Sequence, residues 1–293
     1  MRRLGFIGLG AIGAPMAKTL VTNRFQLSVF DILPERMRPL VEAGARSAGS
    51  PGEASENAEA IIIMVMNASQ VEDALLGDDG AVQALAPGSA VIIMSTIGPE
   101  KVRTLAGELA ESDLRVLDAP VSGGPSRAET GDLLVMVGGA RDLLDEARPV
   151  LETMGSTVVH CGESPGDGQA VKMVNQLLVG IHLAAAGEAL AYADTLGLDP
   201  RFVFEAVKEG AANSFMLENR ADSMLSGEFA SGGSKLEILI KDVDLAIEAA
   251  RKHDFHAPLA SAAHEIYQQA SELGLGDEED AGVIRIFQRH GQN

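Results

Sequence analysis

Residues 3–31 read RLGFIGLGAIGAPMAKTLVTNRFQLSVFD, and this stretch decides how the first half of the chain folds. Its apolar beginning is typical of a short buried strand, and the later run LSVF is typical of a second one. Between the two runs, Gly8, Gly10 and Gly13 precede a helix with apolar residues on one side. A strand, a glycine-rich turn, a helix, a strand and then an acid, Asp31, form the arrangement of a dinucleotide-binding site.

Each position of this motif has a physical role. Gly8 permits the tight turn, Gly10 lets a pyrophosphate approach the backbone, and Gly13 lets the helix pack closely on the strand. The start of the helix supplies unpaired amides and a partial positive charge for the phosphates. Asp31 is placed to accept hydrogen bonds from the ribose hydroxyls, and Ile32 offers no basic group to a 2′-phosphate, so we expect NAD to be favoured over NADP. The cofactor-binding candidates here are Gly8, Leu9, Gly10, Ala11, Ile12, Gly13, Asp31 and Ile32.

Strand and helix patterns alternate through the rest of the first half. Continuous apolar runs such as AIIIMVM and AVIIM are suited to central strands of a parallel sheet. The alternation indicates a doubly wound sheet, in which ligands bind at the carboxyl ends of the strands. Met66 and Asn67 at the end of one run and Thr96 after the other are therefore further cofactor candidates. Thr96 is also in place to cap a helix before Pro99.

The segment DAPVSGGP places Ser122 before two consecutive glycines, Gly123 and Gly124. Pro120 makes the entry to this segment rigid. The two glycines leave successive amides uncovered by side chains, and with the hydroxyl of Ser122 they can form a nest for a carboxylate. An ordinary tight turn is the alternative interpretation.

The stretch GDGQAVKMVNQLLVGIHLAAAGEALAYADTLG, residues 166–197, predicts one long and mostly apolar helix. A helix that is apolar on nearly every side is buried, here between two domains or two subunits. Lys172 and Asn175 lie near its start, three residues apart and so on one face. The later chain has helix patterns alone. We therefore expect an α/β Rossmann domain over 1–164, with a doubly wound and mostly parallel sheet, and an all-α C-terminal domain over 165–293.

Composition bears on the partners and the compartment. The 293 residues carry a net charge of −19, whereas nucleic acid is bound by basic patches, so we expect no nucleic-acid partner. No run of about eighteen purely apolar residues exists, so we expect no membrane span. The single cysteine, Cys161, fits a reducing compartment, and we expect a cytoplasmic protein. The six histidines show no metal-ligand spacing, so no metal site is predicted.

With GLGAIGAPMA, DAPVSGG, GDGQAVKMVNQ and the pair Lys241-Asp242 in this order, the chain resembles the β-hydroxyacid dehydrogenase family. This family includes 3-hydroxyisobutyrate dehydrogenases, tartronate semialdehyde reductases and L-threonate dehydrogenases. The resemblance covers essentially the whole chain. It implies a Rossmann domain, a long interdomain helix and an all-α domain that helps to form homodimers or homotetramers.

The resemblance also implies a reaction, which is reversible hydride transfer between NAD and the alcohol or carbonyl carbon of a small anionic 3-hydroxy acid or semialdehyde. Lys172 would act as general acid and base, and Asn175 would orient the substrate. The implied positions are Lys172 and Asn175 for catalysis, Ser122, Gly123, Gly124, Lys172, Asn175 and Gln176 for the substrate, and Thr96 and Lys241 for the cofactor.

The substrate and the activity itself have alternatives. Gln176 stands where the family commonly has a second asparagine, as in the tartronate semialdehyde (2-hydroxy-3-oxopropionate) reductase and threonate branches. The segment GAANSFMLENRADSML resembles the threonate branch. Tartronate semialdehyde and L-threonate or erythronate are therefore alternatives to 3-hydroxyisobutyrate. A non-catalytic NAD-binding module is the alternative from another class, and the presence of both Lys172 and Asn175 argues against it.

Overall fold

The structure is a computed structural model that describes residues 1–229 and 234–290. The chain forms two compact units, Met1–Lys172 and Met173–Asn293. The first unit has a hydrophobic cluster on each face of a central sheet, and the second has a core made by helices.

One sheet organises the first unit, in which every residue is described. Its nine strands are β1 (Arg3–Ile7), β2 (Gln26–Phe30), β3 (Arg46–Ser47), β4 (Ala60–Ile63), β5 (Ala90–Ile93), β6 (Arg115–Asp118), β7 (Val121–Ser122), β8 (Leu134–Gly138) and β9 (Thr157–Gly162). The spatial order is β3-β2-β1-β4-β5-β6-β8-β7, and β9 pairs with β8. The strands from β3 to β6 are parallel, whereas β8 runs antiparallel to β6 and β7.

The central strands are buried on both faces because helices cover the sheet on each side. Every residue of β4 and β5 is buried, and the two strands pair in register, with Ile62 opposite Ile92. Side chains of successive strand residues point to opposite faces. Ile62 accordingly belongs to one hydrophobic cluster and Ile61 to the other. The expected doubly wound, mostly parallel sheet is confirmed.

The helices of the first unit connect these strands. They are α1 (Gly13–Thr22), α2 (Arg38–Glu42), α3 (Pro51–Ser55), α4 (Ala68–Leu76), α5 (Pro99–Ala110), α6 (Gly124–Glu129) and α7 (Arg141–Met154), with short 3₁₀ turns at Pro34–Arg36 and Ala81–Gln83. Two strands have no counterpart in the sequence patterns. β3 and β7 each contain two residues, which is too short for a hydrophobic period to be visible.

The long helix α8 spans Asp167–Thr195, close to the predicted 166–197. Leu183 and Leu190 of this helix are buried in the core of the second unit. Other apolar residues are exposed, among them Val174 (62 %) and Tyr192 (61 %). Among the described residues, α8 is the helix whose length and apolar composition match a membrane span, and 44 % of that window is buried in the protein.

The described part of the second unit is built from helices, as expected for a helical C-terminal region. After α8 come α9 (Pro200–Val207), α10 (Phe215–Ser226), α11 (Leu236–Lys252), α12 (Pro258–Ala270) and α13 (Ile284–His290), with a π turn at Ser271–Leu275 and a 3₁₀ turn at Asp280–Val283. A buried ion pair joins Arg220 on α10 to Asp280, with Nε and Oδ1 2.6 Å apart. The hydroxyl of the buried Tyr267 donates a hydrogen bond to the carbonyl oxygen of Gly180.

Candidate active site

The glycine turn between β1 and α1 has the geometry that a dinucleotide requires. Gly8 has a φ of +94°, a backbone conformation that other residues rarely adopt. A side chain on Gly13 would collide with the carbonyl oxygen of Gly8, whereas a Cβ on Gly10 would have no neighbour within 4 Å. The space beside Gly10 lies at the amino end of α1, where backbone amides point outward. The residues therefore fit a bound pyrophosphate.

Asp31, directly after β2, is buried and supports this turn. Its Oδ2 accepts a hydrogen bond from the amide of Leu9 at 2.7 Å, and its Oδ1 accepts one from the amide of Leu33 at 2.9 Å. The carboxylate thus joins the glycine turn to the loop after β2. The sequence pattern predicts an acid at this position, but it does not predict the hydrogen bond between that acid and the amide of Leu9.

Arg36 is a candidate that the sequence analysis missed. Its Nη1 lies 3.5 Å from Oδ1 of Asp31, and 45 % of its side chain is exposed. Ile32, which directly follows Asp31 and has no basic group, is 76 % exposed. Because Arg36 belongs to a 3₁₀ turn, the residue next to the acid in sequence is not the one that pairs with it. A basic group therefore lies beside Asp31.

Met66 and Asn67, two of the predicted cofactor contacts, form the start of α4. Oδ1 of Asn67 accepts a hydrogen bond from the amide of Gln70, and Oε1 of Gln70 accepts one from the amide of Met66, both at 2.9 Å. The arrangement resembles a capping box, except that Gln70 binds the amide of Met66, the residue before the N-cap, rather than that of Asn67. The side chain of Met66 is 56 % exposed.

The loop that carries Thr96 is held by a glutamine from α8. Oε1 of Gln169 accepts hydrogen bonds from the amides of Ile97 and Gly98, each at 3.1 Å, and its Nε2 donates to the carbonyl oxygen of Ser95 at 2.9 Å. Gln169 is completely buried. The alternative role of Thr96 as a helix cap is wrong, since Gly98 occupies the N-cap position of α5.

Asp118, the last residue of β6, binds the first turn of α8. Its Oδ1 accepts a hydrogen bond from the amide of Gly166 at 2.7 Å, and its Oδ2 accepts one from the amide of Gln169 at 2.6 Å. Burial raises the pKa of this carboxyl to about 7, although the two backbone hydrogen bonds favour the ionised form. The negative charge of Asp167 adds to the increase.

Ser122, Gly123 and Gly124 form the end of β7 and the start of α6. Gly123 and Gly124 have φ values of +138° and +75°. A Cβ on Gly124 would have no neighbour within 4 Å. These positive φ values favour glycine at both positions. The surface is open at Gly124, whereas a Cβ on Gly123 would lie 3.0 Å from the side chain of Arg127.

Lys172 lies in the same unit as this segment. Its side chain is buried, and Nζ donates a hydrogen bond to the carbonyl oxygen of Val121 at 2.7 Å. Val121 directly precedes Ser122. The fold thus brings the predicted catalytic amine to the predicted carboxylate segment, two elements that are separated by about fifty residues in the sequence.

The other predicted residues belong to the second unit, where they form one polar network. Nδ2 of Asn175 donates a hydrogen bond to Oε1 of Gln176 at 2.8 Å, and Nε2 of Gln176 donates to Oδ2 of Asp242 at 2.7 Å. Nζ of Lys241 lies 2.6 Å from Oδ1 of Asp242. Gln176 and Asp242 are both buried. Asp242 therefore holds both Gln176 and Lys241.

Four polar residues that take part in these hydrogen bonds and ion pairs were not among the predicted site residues. They are Arg36, which contacts Asp31, and the buried Gln169, Asp118 and Asp242. A signal for the last three was present. Gln169 and Asp118 stand within the two quoted motifs, and Asp242 follows Lys241. A polar side chain in an otherwise apolar segment is buried with hydrogen-bond partners, but the identity of those partners depends on the fold.

No group of three or more histidine, cysteine, aspartate or glutamate residues that could hold a metal ion occurs in the part of the chain described here.

Comparison with known families gives two matches that together cover most of the chain. Residues 3–162 match the NAD binding domain of 6-phosphogluconate dehydrogenase. Residues 166–287 match the NAD-binding domain of NADP-dependent 3-hydroxyisobutyrate dehydrogenase.

Individual relatives match over nearly their whole length. L-threonate dehydrogenase of Cupriavidus necator is 38 % identical over 98 % of this chain and 96 % of its own. The 2-(hydroxymethyl)glutarate dehydrogenase of Eubacterium barkeri is 32 % identical over 98 % and 95 % of the two chains. The crystal structure of 3-hydroxyisobutyrate dehydrogenase from Salmonella typhimurium superposes with a TM-score of 0.91 at 35 % identity, covering 98 % of this chain and 100 % of the other.

The family matches, these relatives and the order of the motifs agree with one another. The relatives are named dehydrogenases that act on hydroxyl groups, so the chain is an NAD(P)-dependent oxidoreductase and the alternative of a non-catalytic module is set aside. This chain belongs to the β-hydroxyacid dehydrogenase family.

Proposed function

We propose that Lys172 is the general acid and base of this dehydrogenase and that its substrate is a small polyhydroxy acid such as L-threonate. The observation that carries the proposal is the hydrogen bond from Nζ of Lys172 to the carbonyl oxygen of Val121, because Val121 directly precedes Ser122, Gly123 and Gly124, the residues that we propose for the carboxylate. A group that grips a carboxylate and a group that moves a hydroxyl proton must lie close together when the substrate is small.

The chain has to bind and orient the dinucleotide, which supplies hydride transfer when it is bound. In our proposal the amides of residues 8–13 hold the pyrophosphate, and Asp31 accepts hydrogen bonds from the adenosine ribose. We also assign Met66, Asn67, Thr96 and Lys241 to the cofactor. The open space beside Gly10 supports this assignment.

Lys172 takes the hydroxyl proton during oxidation and returns it during reduction. Burial removes most water from this amine, so a proton passes between it and the substrate hydroxyl rather than to solvent. Asn175 hydrogen-bonds the same hydroxyl. The amides of Gly123 and Gly124 and the hydroxyl of Ser122 hold the carboxylate, which orients the reacting carbon toward the amine.

Gln176 favours a hydroxylated substrate over one with a methyl branch. Its side chain is buried and hydrogen-bonded to Asn175 and Asp242, so this part of the second unit presents amide groups rather than apolar ones. A buried polar network binds a hydroxyl well and leaves polar groups unpaired against a methyl group. The 38 % identical L-threonate dehydrogenase supports the same choice. Tartronate semialdehyde and 3-hydroxyisobutyrate are the alternatives.

The experiment is a substrate panel. The purified protein is assayed for cofactor reduction with L-threonate, D-erythronate, 3-hydroxyisobutyrate, glycerate and L-serine at equal concentrations. We expect kcat/KM for a four-carbon polyhydroxy acid to exceed that for 3-hydroxyisobutyrate by at least about tenfold. Preference for 3-hydroxyisobutyrate would contradict the role given to Gln176 and leave that of Lys172 intact.

NAD is the proposed main cofactor, because the carboxylate of Asp31 repels a 2′-phosphate. The exposed guanidinium of Arg36 reduces that discrimination. The family match of the second half to NADP-dependent 3-hydroxyisobutyrate dehydrogenase is consistent with some use of NADP. We therefore propose a preference for NAD that is not strict.

We also propose that the active form is a homodimer or a larger homo-oligomer. The exposed residues Val174, Leu178, Ala185, Ala189 and Tyr192 follow one another along α8 at helical spacing, and we call them the α8 stripe. The stripe combines large apolar side chains with alanines, which let a second helix approach closely. A second copy of the chain, which carries the same stripe, is the occupant that we propose.

Two further assignments complete the proposal. We place the functional boundary between the domains at 164/165, a division supported by family matches that end at residue 162 and begin at residue 166. We propose a cytoplasmic location, since the reaction draws on the cellular NAD(P) pool and the single Cys161 suits a reducing compartment. Cell fractionation with antibody detection tests the location.

A further inference from the structure

The first turn of α8 is attached to two strand ends of the Rossmann unit by hydrogen bonds that the proposed chemistry does not use. The side chain of Gln169 makes three of them, to the backbone of Ser95, Ile97 and Gly98. Asp118 makes two more, to the amides of Gly166 and Gln169. Both side chains are completely buried.

These bonds fix the helix in three ways. The Asp118 carboxylate holds its starting amides, which would otherwise be without partners. The Gln169 amide holds the loop after β5 to the helix, and Nζ of Lys172 reaches the strand segment before Ser122. Gln169 and Lys172 are three residues apart, so they lie on one face of α8.

We propose that Gln169 is a positioning residue, which sets the place of the Lys172 amine relative to the loop that carries Thr96. The inference rests on the proposed function, since it concerns the geometry in which Lys172 works. The loop at 95–98 binds cofactor in that proposal, and the amine acts on the substrate. The side chain of Gln169 therefore links the cofactor-binding loop to the amine that acts on the substrate.

The size of the effect follows from the geometry of proton transfer. A displacement of about 1 Å at the reacting groups costs roughly a hundredfold in rate. Without the three bonds of Gln169, the loop and the helix can shift against each other by such an amount. Most of the proposed dinucleotide contacts, namely the amides of the glycine turn and Asp31, lie elsewhere on the sheet, so dinucleotide affinity changes little although the loop at 95–98 shifts.

The test compares Gln169→Met with Gln169→Glu. Methionine has nearly the volume of glutamine but forms none of the three hydrogen bonds. A glutamate carboxyl accepts from the amides of Ile97 and Gly98 and, when it is protonated, donates to the carbonyl oxygen of Ser95 as glutamine does. Burial raises the pKa of a carboxyl, so this protonation occurs within an accessible pH range.

We expect Gln169→Met to lower kcat by about tenfold to a hundredfold, with the Kd for NADH, measured by fluorescence, within about threefold of wild type. The kcat of Gln169→Glu, relative to wild type at the same pH, should rise as the pH falls, whereas the ratio for Gln169→Met should stay constant. Amide hydrogen exchange at Ile97 and Gly98 should be faster in the methionine variant.

Gln83→Met is the matched control. Gln83 also bonds the backbone, through Nε2 to the carbonyl oxygen of Asp78 at 2.6 Å, but it lies outside the proposed site. Wild-type kcat in Gln169→Met, or a pH-independent ratio for Gln169→Glu, would overturn the proposal. Failure of both variants to fold would show a structural role and overturn it as well.

Lys172→Ala, assayed in parallel, distinguishes a failure of the positioning role of Gln169 from a failure of the proton-transfer role of Lys172. If Lys172→Ala is inactive while both Gln169 variants behave as wild type, the positioning role is wrong and the function stands. If Lys172→Ala remains active, the proton-transfer role fails irrespective of Gln169.

Discussion

Asp31, Asp118 and Gln169 each use a buried side chain to bind backbone groups that belong to another segment. The amide of Leu9, the amides at the start of α8 and the loop after β5 are held in this way. Unpaired backbone groups are costly inside a protein, so these side chains keep turns in place at the edge of the sheet where strands end.

A first prediction at the residue scale concerns cofactor preference. Arg36→Ala should lower kcat/KM for NADP by about tenfold, because a charge-assisted bond to the 2′-phosphate is lost, and leave NAD nearly unchanged. Asp31→Asn should have the opposite effect on the ratio, since repulsion of the phosphate is removed. Steady-state kinetics with both cofactors gives the ratio. Arg36→Ala with an unaltered ratio would show that the guanidinium does not reach the phosphate.

A second prediction concerns the pH dependence of stability. Asp118 holds its proton in the native state up to about pH 7, whereas the unfolded chain releases it near 3.8. Between these values the native state binds one more proton, so the contribution of Asp118 to the free energy of unfolding falls as the pH rises, by at most about 4 kcal/mol. Above about pH 7 the contribution is constant.

Urea unfolding of wild type and Asp118→Asn at several pH values measures this contribution. The asparagine has no proton to release, and all other groups are shared, so the difference between the two free energies isolates Asp118. We expect wild type to lose stability relative to Asp118→Asn from about pH 4 to about pH 7. A difference that does not change with pH would mean that Asp118 titrates alike in both states.

The residue patterns of the sequence indicated part of this site and left out another part. The glycine spacing and Asp31 were visible because they depend on the chain within one strand-helix-strand unit. The bonds from Gln169 to residues 95–98 join positions more than seventy residues apart, and no local period encodes them. The same is true of Arg36, whose place beside Asp31 depends on a 3₁₀ turn.

At the scale of secondary-structure elements, the packing around two helix glycines predicts opposite effects on stability. Gly180 of α8 lies against α11, and a Cβ there would come within 2.7 Å of Val243. Gly107 in α5 has no neighbour within 4 Å. Gly180→Ala should therefore destabilise the protein by about 1–3 kcal/mol through overpacking, whereas Gly107→Ala should stabilise it by about 0.5–1 kcal/mol.

Thermal or urea unfolding of both variants checks these signs. The pair is matched because each substitution adds one methyl group to a helix, so helix propensity contributes equally. Stabilisation by Gly180→Ala would mean that α8 and α11 have room for a closer side chain and that the packing described for the second unit is wrong.

Helices and strands with a long apolar run were predictable from the sequence, whereas short ones were not. The apolar run of α8 and the continuous runs of β4 and β5 gave their type and approximate bounds. The stretch from Pro34 to Gly44 contains a 3₁₀ turn and the short α2 instead of one continuous helix. Pro39 has no N–H to continue a helix across this stretch.

At the scale of the whole molecule, the α8 stripe predicts that two copies of the chain associate. An exposed apolar stripe on a chain with a net charge of −19 is typical of an interface between identical subunits. Tyr192→Glu places a charge within the stripe and should shift the protein toward monomers, as measured by light scattering over a concentration series. Gln83→Glu adds the same charge outside the stripe and should leave the mass unchanged.

A wild-type protein that is monomeric at all concentrations would contradict the assignment of the stripe to a second copy. The two-unit organisation was visible in the sequence as a change from alternating strands and helices to helices alone. The sequence led us to expect a homo-oligomer but not its interface, because a residue pattern that is apolar on all sides does not say which face another subunit covers.

The central claim is that the amine of Lys172 moves the proton during turnover, and Lys172→Ala tests it most directly. With the best substrate of the panel, kcat should fall by at least about a hundredfold, the lower range for loss of a general acid and base. The Kd for NADH should stay within about threefold of wild type, and Lys101→Ala, an exchange of another lysine in the same unit, should retain activity. Turnover of Lys172→Ala close to that of wild type would contradict the account.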